Sequence, residues 1–278
     1  MIRIVTDSTC DLPEEVIDEL GVRVVPLYIN VGTRGYLDGV DITRQEFYQR
    51  LPEMHPHPTT AAPGSEVFRQ AYEELAGQGA TQVLSIHISP SLSATLDVAR
   101  AAAQQTRVVP VTAFDSRQLS LGTGFLVETA AKAAAQGASM DDILALLKEQ
   151  IARSHVFAAL DTLEYLRRSG RMNVAVASFG RLLQLKPLLH MYDGDPIAER
   201  VRTSQRAMKR LLEILSKLGH LERVALVHTN APGRAEELRR MSADLLPTGE
   251  IRSVNITPVI GANIGPGAVG FACITKKG

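Results

Sequence analysis

The sequence predicts an α/β protein of two domains. Residues 1–150 read as an N-terminal three-layer α/β/α (Rossmann-like) domain built on a parallel sheet. Residues 151–278 read as a C-terminal two-layer α/β domain with a mixed six-stranded sheet. Three observations carry this. Short apolar runs alternate with helical patterns through the first half, the signature of a parallel sheet covered on both faces. In the second half two strand runs flank Asp193-Gly194-Asp195, a turn signal that requires an antiparallel pair. A length of 278 residues suits about two cores.

Ile2–Thr6 reads as the first strand, followed by the loop Asp7-Ser8-Thr9-Cys10. Asp11 is placed to cap the next helix, which has Pro13 at its start and Gly21 as its stop. Val22–Val31 reads as one strand, and Gly32–Gly39 as a turn or short hairpin. Thr43-Arg44-Gln45-Glu46 is a capping-box pattern opening a helix to Leu51. Pro52–Gly64 holds four prolines and reads as an irregular segment. Ser65–Ala76 is expected to be a helix, Gln82–Ile88 and Val108–Phe114 strands, and Leu119–Ala135 and Met140–Ser154 helices. The domain boundary is expected near Met140–His155.

Beyond it, Val156–Leu160 reads as a strand and Asp161–Ser169 as a short helix with an Asp161/Glu164 capping box. Val174–Leu185 reads as a helix, and Lys186–Asp193 with Pro196–Thr203 as the hairpin. Helices over Ser204–Leu218 and Pro232–Leu246 and strands over Arg223–Thr229, Ile251–Pro258 and Val269–Thr275 complete the pattern.

The stretch Leu84–Thr95, LSIHISPSLSAT, runs from strand through a Ser/Pro cluster into a helix within a dozen residues. Such a junction points unpaired N–H groups and the positive end of the helix dipole outward. Ser91, Ser93 and Thr95 add three hydroxyls. Two readings stand side by side: plain helix capping, and a site for a carboxylate or phosphate. Asp7-Ser8, Thr59-Thr60 and Asp115-Ser116 are further polar clusters at expected strand ends or their loops, where ligands of parallel sheets bind.

Composition narrows the function. Lys+Arg and Asp+Glu are both 30, so no global field attracts nucleic acid or an anionic membrane, and any anion site is local. The absence of Trp disfavours base-stacking platforms. Cys10 and Cys273 fit no metal-ligand spacing and read as small buried hydrophobes. No apolar run approaches a membrane span and no signal-peptide pattern is seen, so stable membrane insertion is not expected and a cytoplasmic location is.

Gly261–Gly267, GANIGPG, is read as a tight loop between two strands. It has neither the dinucleotide-binding spacing nor a Walker-type lysine. Arg167, Arg168 and Arg171 surround a helix C-terminus, and Arg200, Arg202, Arg206 and Arg210 form a basic stripe. Asp7 or Asp115 would serve as a Mg²⁺ ligand in a Rossmann-like enzyme, although neither has a second carboxylate beside it. No GxSxG elbow is present, and no base lies near Ser93 in sequence. The residues support binding rather than covalent catalysis, and no cofactor is expected.

Taken together, TDSTCDLP (6–13), HPTTAAPGSEVF (57–68), ISPSLSAT (88–95) and FDSRQLSLGTG (114–124) form a specific set of motifs. LDTLEYLRRSGRMN (160–173), LLQLKPLL (182–189), ERVRT (199–203) and GANIGPGAVG (261–270) extend it. This set resembles the DegV family, whose characterised members are the fatty-acid-binding, FakB-type subunits of bacterial fatty acid kinase. The resemblance runs from Ile4 to about Phe271. It implies that a long-chain fatty acid such as palmitate, stearate or oleate is buried in an apolar tunnel, with its carboxylate near the domain junction. By motif position, Thr60 and Ser93 are the implied hydroxyl contacts, with Thr59 and Ser91 adjacent. Arg171, Arg202 and Asn263 match positions linked to the phosphate end and the kinase contact. The implied partner is a separate DAK-type, ATP-dependent fatty acid kinase subunit that makes an acyl phosphate for phospholipid metabolism. The carrier itself binds no ATP and performs no catalysis alone.

This chain departs from the family pattern twice. Ala61-Ala62 stands where the family often has Ser-Gln, and Asn263 where it often has His. An amide does not titrate as an imidazole does. Two alternative functions follow from the residues: an enzyme acting on a small phosphorylated metabolite, and a lipid sensor with no kinase.

Overall fold

The computed structural model of the chain describes residues 1–171 and 186–277; the helix expected over Val174–Leu185 lies outside them. The first half builds a four-stranded parallel sheet. Its strands are β1 (Ile2–Asp7), β2 (Arg23–Val25), β6 (Gln82–His87) and β7 (Val111–Asp115), in the order β2-β1-β6-β7. The apolar runs fill both faces, as a covered parallel sheet requires. On one face Val5 and Val83 pack with Phe68 and Tyr72 of α3 (Ser65–Gly77) and Ala99 and Ala102 of α4 (Thr95–Gln105). On the other face Ile4, Leu84 and Ile86 pack with Val16 of α1 (Glu14–Leu20) and Phe125 and Leu126 of α5 (Leu121–Ala135). These are the three layers expected.

The expected strand Val22–Val31 is in fact two. β2 ends at Val25, and β3 (Tyr28–Val31) belongs to a separate antiparallel sheet with β4 (Arg34–Leu37) and β5 (Thr59–Ala61), in the order β4-β3-β5. Pro26 stands at the break, where a residue without N–H cannot continue the ladder. β5 itself lies inside the proline-rich segment read as irregular. It is a three-residue edge strand flanked by Pro58 and Pro63, a place where proline is tolerated. Between them α2 (Arg44–Arg50) is capped by Thr43, whose Oγ1 accepts from the Glu46 N–H at 3.2 Å.

After α6 (Met140–Ile151) the second half forms a six-stranded mixed sheet. Its strands are β8 (Ser154–Ala159), β9 (Lys186–Tyr192), β10 (Asp195–Val201), β11 (Leu221–His228), β12 (Ser253–Asn255) and β13 (Val269–Thr275). Their order is β10-β9-β8-β13-β11-β12, with only β11 and β12 parallel. Helices α8 (Ser204–Lys217) and α9 (Pro232–Met241) cover one face through Met208, Leu211 and Leu238. α7 (Glu164–Arg168) follows β8. The glycine-rich segment read as a loop begins instead in a helix, α10 (Pro258–Ile264). Pro258 occupies its first position, where a missing N–H costs nothing.

α5 joins the halves. It is apolar nearly all round, and its core cluster links Ile4 and Leu84 of the parallel sheet to Val156, Ala225, Val227 and Ala272 of the mixed sheet. A Cβ at Gly124 would lie 2.4 Å from the Cys10 carbonyl, so the residue there must be glycine for the helix to sit this close. Both cysteines are buried, and desolvation pushes each thiol up to about 12.

Candidate functional site

In the parallel sheet the chain leaves β1 toward β2 on one side and returns to β6 on the other. That reversal is a topological switch point, and a crevice opens beyond the carboxyl ends of the two strands. A cavity of about 270 Å³ lies there, against the mixed sheet. Thr9 follows β1 at its wall, and Ile88, Leu92 and Ser93 follow β6. The mixed sheet contributes Val156, Leu189 and Met191, and α10 contributes Val259, Ile260, Asn263 and Ile264. The wall is mostly apolar, with a few hydroxyls and, among the described residues, one permanently charged group, Arg171.

The strand ends at the switch point are locked by a buried polar chain. His87 Nδ1 lies 2.8 Å from Asp7 Oδ2, His87 Nε2 lies 2.7 Å from Ser85 Oγ, and Ser85 Oγ lies 2.9 Å from the Tyr72 hydroxyl. The other Asp7 oxygen accepts from the Thr9 N–H at 3.0 Å and from the Thr9 hydroxyl. Asp7 is therefore fully engaged within the fold. Among the described residues no group of three or more His, Cys, Asp or Glu is arranged to hold a metal.

Asp11 does not cap α1, whose N-cap is Pro13. Its buried carboxylate instead accepts from the Ser120 hydroxyl at 2.6 Å and the Thr257 N–H at 2.8 Å, and pairs with Arg44 at 3.2 Å. Burial raises this carboxyl from 3.8 to about 6, opposed first by the Arg44 charge. Ser120 lines the cavity with φ 51° and ψ −141°, a strained conformation that its bond to Asp11 helps hold. Asp161 also caps no helix: α7 begins at Glu164, whose N–H is met by Thr162 Oγ1, and Asp161 pairs with Lys186 at 2.7 Å.

Four of the seven residues singled out from the sequence come together on the cavity wall: Thr60, Ser93, Arg171 and Asn263. The Thr60 hydroxyl, half-buried on β5, makes no hydrogen bond among the described residues. Ser93 Oγ accepts from the Thr95 N–H at 3.3 Å and lies 2.8 Å from Thr95 Oγ1, so it holds the first turn of α4 and faces the cavity wall as well. Arg171 is half-buried and donates to the Ser169 carbonyl at 3.2 Å. It has no carboxylate partner among the described residues, and burial pushes its pKa down. A guanidinium stays charged regardless, so this is an unmatched cation beside an apolar cavity. Asn263 Nδ2 donates to the Val259 carbonyl at 2.8 Å within α10.

The other three are elsewhere. Thr59 is exposed on β5, and Arg202 is exposed between β10 and α8. Ser91 turns to the β9–β10 hairpin, donating to the Gly194 carbonyl at 2.7 Å. Neither Thr9 nor Ser120 was foreseen at the wall; both sit in polar clusters that follow strand ends. His57, which with His55 flanks Pro56 and lies on no helix face, packs against α10. Its Nε2 lies 3.0 Å from the Ala262 carbonyl, beside the Tyr165 ring, and burial lowers its pKa.

Glycines fit α10 against these rings. At Gly265 (φ 76°) a Cβ would fall 2.2 Å from Tyr165 Cδ2, so both conformation and space ask for glycine.

Comparison with known proteins places this architecture. A family model described as "Uncharacterised protein, DegV family" matches residues 1–276. DegV domain-containing protein SCO2569 of Streptomyces coelicolor is 35% identical over 280 residues, with 99% of each chain covered. Among solved structures, a fatty-acid-binding DegV family protein from Thermus thermophilus is similar with a TM-score of 0.90, 36% identity and 99% coverage of both chains. DegV of Bacillus subtilis, described as a fatty acid binding protein, is similar with a TM-score of 0.90, 31% identity and the same coverage. With a match that spans all but its last two residues, on a fold shared end to end with these relatives, the chain belongs to the DegV family.

Proposed function

We propose that this chain is a fatty-acid carrier. It holds a long-chain acid in the cavity between its two domains (1–150 and 151–278) and presents the carboxylate to a separate kinase subunit, which makes the acyl phosphate. The observation that carries this reading is the pairing of an apolar cavity with a cation, Arg171, and a hydroxyl, Thr60, that have no carboxylate partner and no hydrogen bond, respectively, among the described residues. Ser93 and the start of α4 add donors to the same wall. An anion taken from water needs such donors to offset its desolvation. The acyl chain supplies affinity at ~0.8 kcal/mol for each methylene removed from water. The fatty-acid-binding relatives support the ligand class.

In this reading Thr60 and Ser93 bind the carboxylate. Arg171 and Asn263 stand at the end where phosphate is added, and exposed Arg202 meets the kinase. Titration of delipidated protein with oleate and with methyl oleate tests the head-group role. The acid should bind one to one, and the ester more weakly by roughly tenfold or more, the worth of a charge-assisted hydrogen bond. Equal affinities would contradict it.

Asn263 favours a second reading, a lipid sensor with no kinase. Its amide nitrogen is committed to Val259 and it cannot titrate. Co-purification with a DAK-type kinase subunit, and acyl phosphate formed by the pair with ATP, would decide for the carrier. Absence of both would decide for the sensor.

A further inference from the structure

α10 ends with a carbonyl that its own backbone cannot satisfy. In an α-helix the carbonyl of each residue accepts from the N–H four residues on. The Gly261 carbonyl is met in this way by the Gly265 N–H at 2.8 Å. The next one, Ala262, would need the N–H of residue 266, and Pro266 has none. The Gly267 N–H is turned away to the Thr229 carbonyl at 2.7 Å. Ala262 has no exposed surface, so its carbonyl destabilises the fold unless another donor reaches it.

His57 is that donor. Its Nε2 stands 3.0 Å from the Ala262 oxygen. A carbonyl can only accept, so Nε2 carries the hydrogen. The imidazole is set against the Tyr165 ring, 5.5 Å between centroids, and Glu164 and Arg168 of α7 face it with opposite charges.

This one bond joins two elements that are weak by themselves. β5 is three residues long and pairs along one edge only, with β3. α10 is seven residues long and carries Gly261 in its interior. Among the described residues, no other hydrogen bond links the segment 51–64 to α10. Each element brings a polar residue to the cavity. Thr60 lies on β5, three residues after His57, and Asn263 follows Ala262 directly, with Arg171 on the same wall. His57 itself stands outside that wall.

We propose that His57 is a positioning residue for the head-group end of the cavity: by capping α10 it fixes Thr60 against Asn263, and so sets the preference for a free carboxylate over a neutral head group. This rests on the carrier reading for the ligand, whereas the tie itself stands on the geometry. Without the bond the Ala262 carbonyl turns toward water, the last turn of α10 loosens, and Thr60 shifts off the carboxylate. Such a shift loses a hydrogen bond to the head group and leaves burial of the acyl chain alone.

Two measurements test it. Delipidated wild type, His57→Ala and His57→Gln are titrated calorimetrically with oleate and with methyl oleate. His57→Ala should lose about tenfold in affinity for oleate, the worth of one hydrogen bond, and nothing for methyl oleate. Gln carries an amide donor at nearly the reach of Nε2, so His57→Gln should bind oleate within about twofold of wild type. An equal loss for both ligands would overturn the role, as would an Ala variant with wild-type affinity or a Gln variant as weak as the Ala variant. Hydrogen exchange on the ligand-free protein reads the tie without any ligand. Amides of 59–61 and 263–265 should exchange faster in His57→Ala and at the wild-type rate in His57→Gln, with those of 82–87 in β6 unchanged. Unchanged exchange at 59–61 and 263–265 in His57→Ala would overturn the tie. Wild-type protein that binds neither ligand would count against the carrier reading, with exchange still deciding the role of His57.

Discussion

Asp11 and Thr257 stand 246 residues apart in the chain and are joined by a 2.8 Å hydrogen bond from the Thr257 N–H to Asp11 Oδ1. Thr257 immediately precedes α10, and its hydroxyl donates to Asp38. Asp11 also holds Ser120, so a single buried carboxylate ties two cavity-lining elements together. Arg44 completes the knot by donating to the Asn255 carbonyl.

This knot makes stability depend on pH in a definite direction. Burial raises Asp11 from 3.8 to about 6, so the folded chain binds this proton more tightly than the unfolded chain does. The stabilising contribution is therefore fully present below the unfolded value and is lost as pH rises through about 6. Asp11→Asn cannot ionise. Relative to wild type it should gain on the order of 2–3 kcal/mol between about pH 4 and pH 7. Urea unfolding of both proteins across that range reads the difference, and a flat difference would contradict the assignment.

Thr60→Val separates ligand binding from folding. The Thr60 hydroxyl has no partner among the described residues, and valine keeps the β-branched shape. The thermal midpoint should stay within a degree or two, while oleate affinity falls by roughly tenfold or more. A stability loss without an affinity loss would assign the hydroxyl to the fold.

Ser93→Ala should show both effects, because Ser93 Oγ serves the first turn of α4 and faces the cavity. Losing the local bond should cost about 1 kcal/mol of stability. Losing a donor to the carboxylate should cost ~1.5–3 kcal/mol of binding. Calorimetry with oleate beside a denaturation curve gives the two values, and unchanged affinity would leave Ser93 to the turn that precedes α4, whose N-cap is Ala94.

Gly265→Ala places a Cβ 2.2 Å from Tyr165 Cδ2 on a backbone at φ 76°. The variant should lose about 2 kcal/mol or more of stability, from strain and overpacking together. Chemical denaturation reads it, and a loss below about 0.5 kcal/mol would show that the ring yields freely.

Much of the fold is legible in the sequence because its signals are local. Period-2 and period-3.6 patterns mark β1, β6, α3 and α8, a long Ala-rich run ending at Gly137 marks α5, and Asp193-Gly194-Asp195 marks the hairpin. The failures share a cause. The stretch Val22–Val31 is mostly apolar and reads as one strand; Pro26 marks the break, and what lies either side of it joins two different sheets. β5 exists because β3 offers it an edge, and α10 forms despite Gly261 because it packs under Tyr48 and Tyr165.

The candidate site divides in the same way. Ser93 and Thr60 stand out as hydroxyls near strand ends. Ser91 and Thr59 carry the same local signal, and what diverts Ser91 is Gly194, 103 residues away. Asp11 looks like a cap because its true partners, Ser120 and Thr257, lie 109 and 246 residues distant.

The central claim is that the cavity at the switch point holds a long-chain fatty acid. Organic extraction of protein purified from a bacterial host, followed by mass spectrometry against a protein-free control, tests it most directly. The account predicts a long-chain fatty acid in about one-to-one ratio to the chain, retained by wild type and depleted in the Ser93→Ala, Thr60→Val double variant, which loses two donors worth ~1.5–3 kcal/mol each. A reproducibly empty wild-type protein that also fails to take up oleate would contradict it.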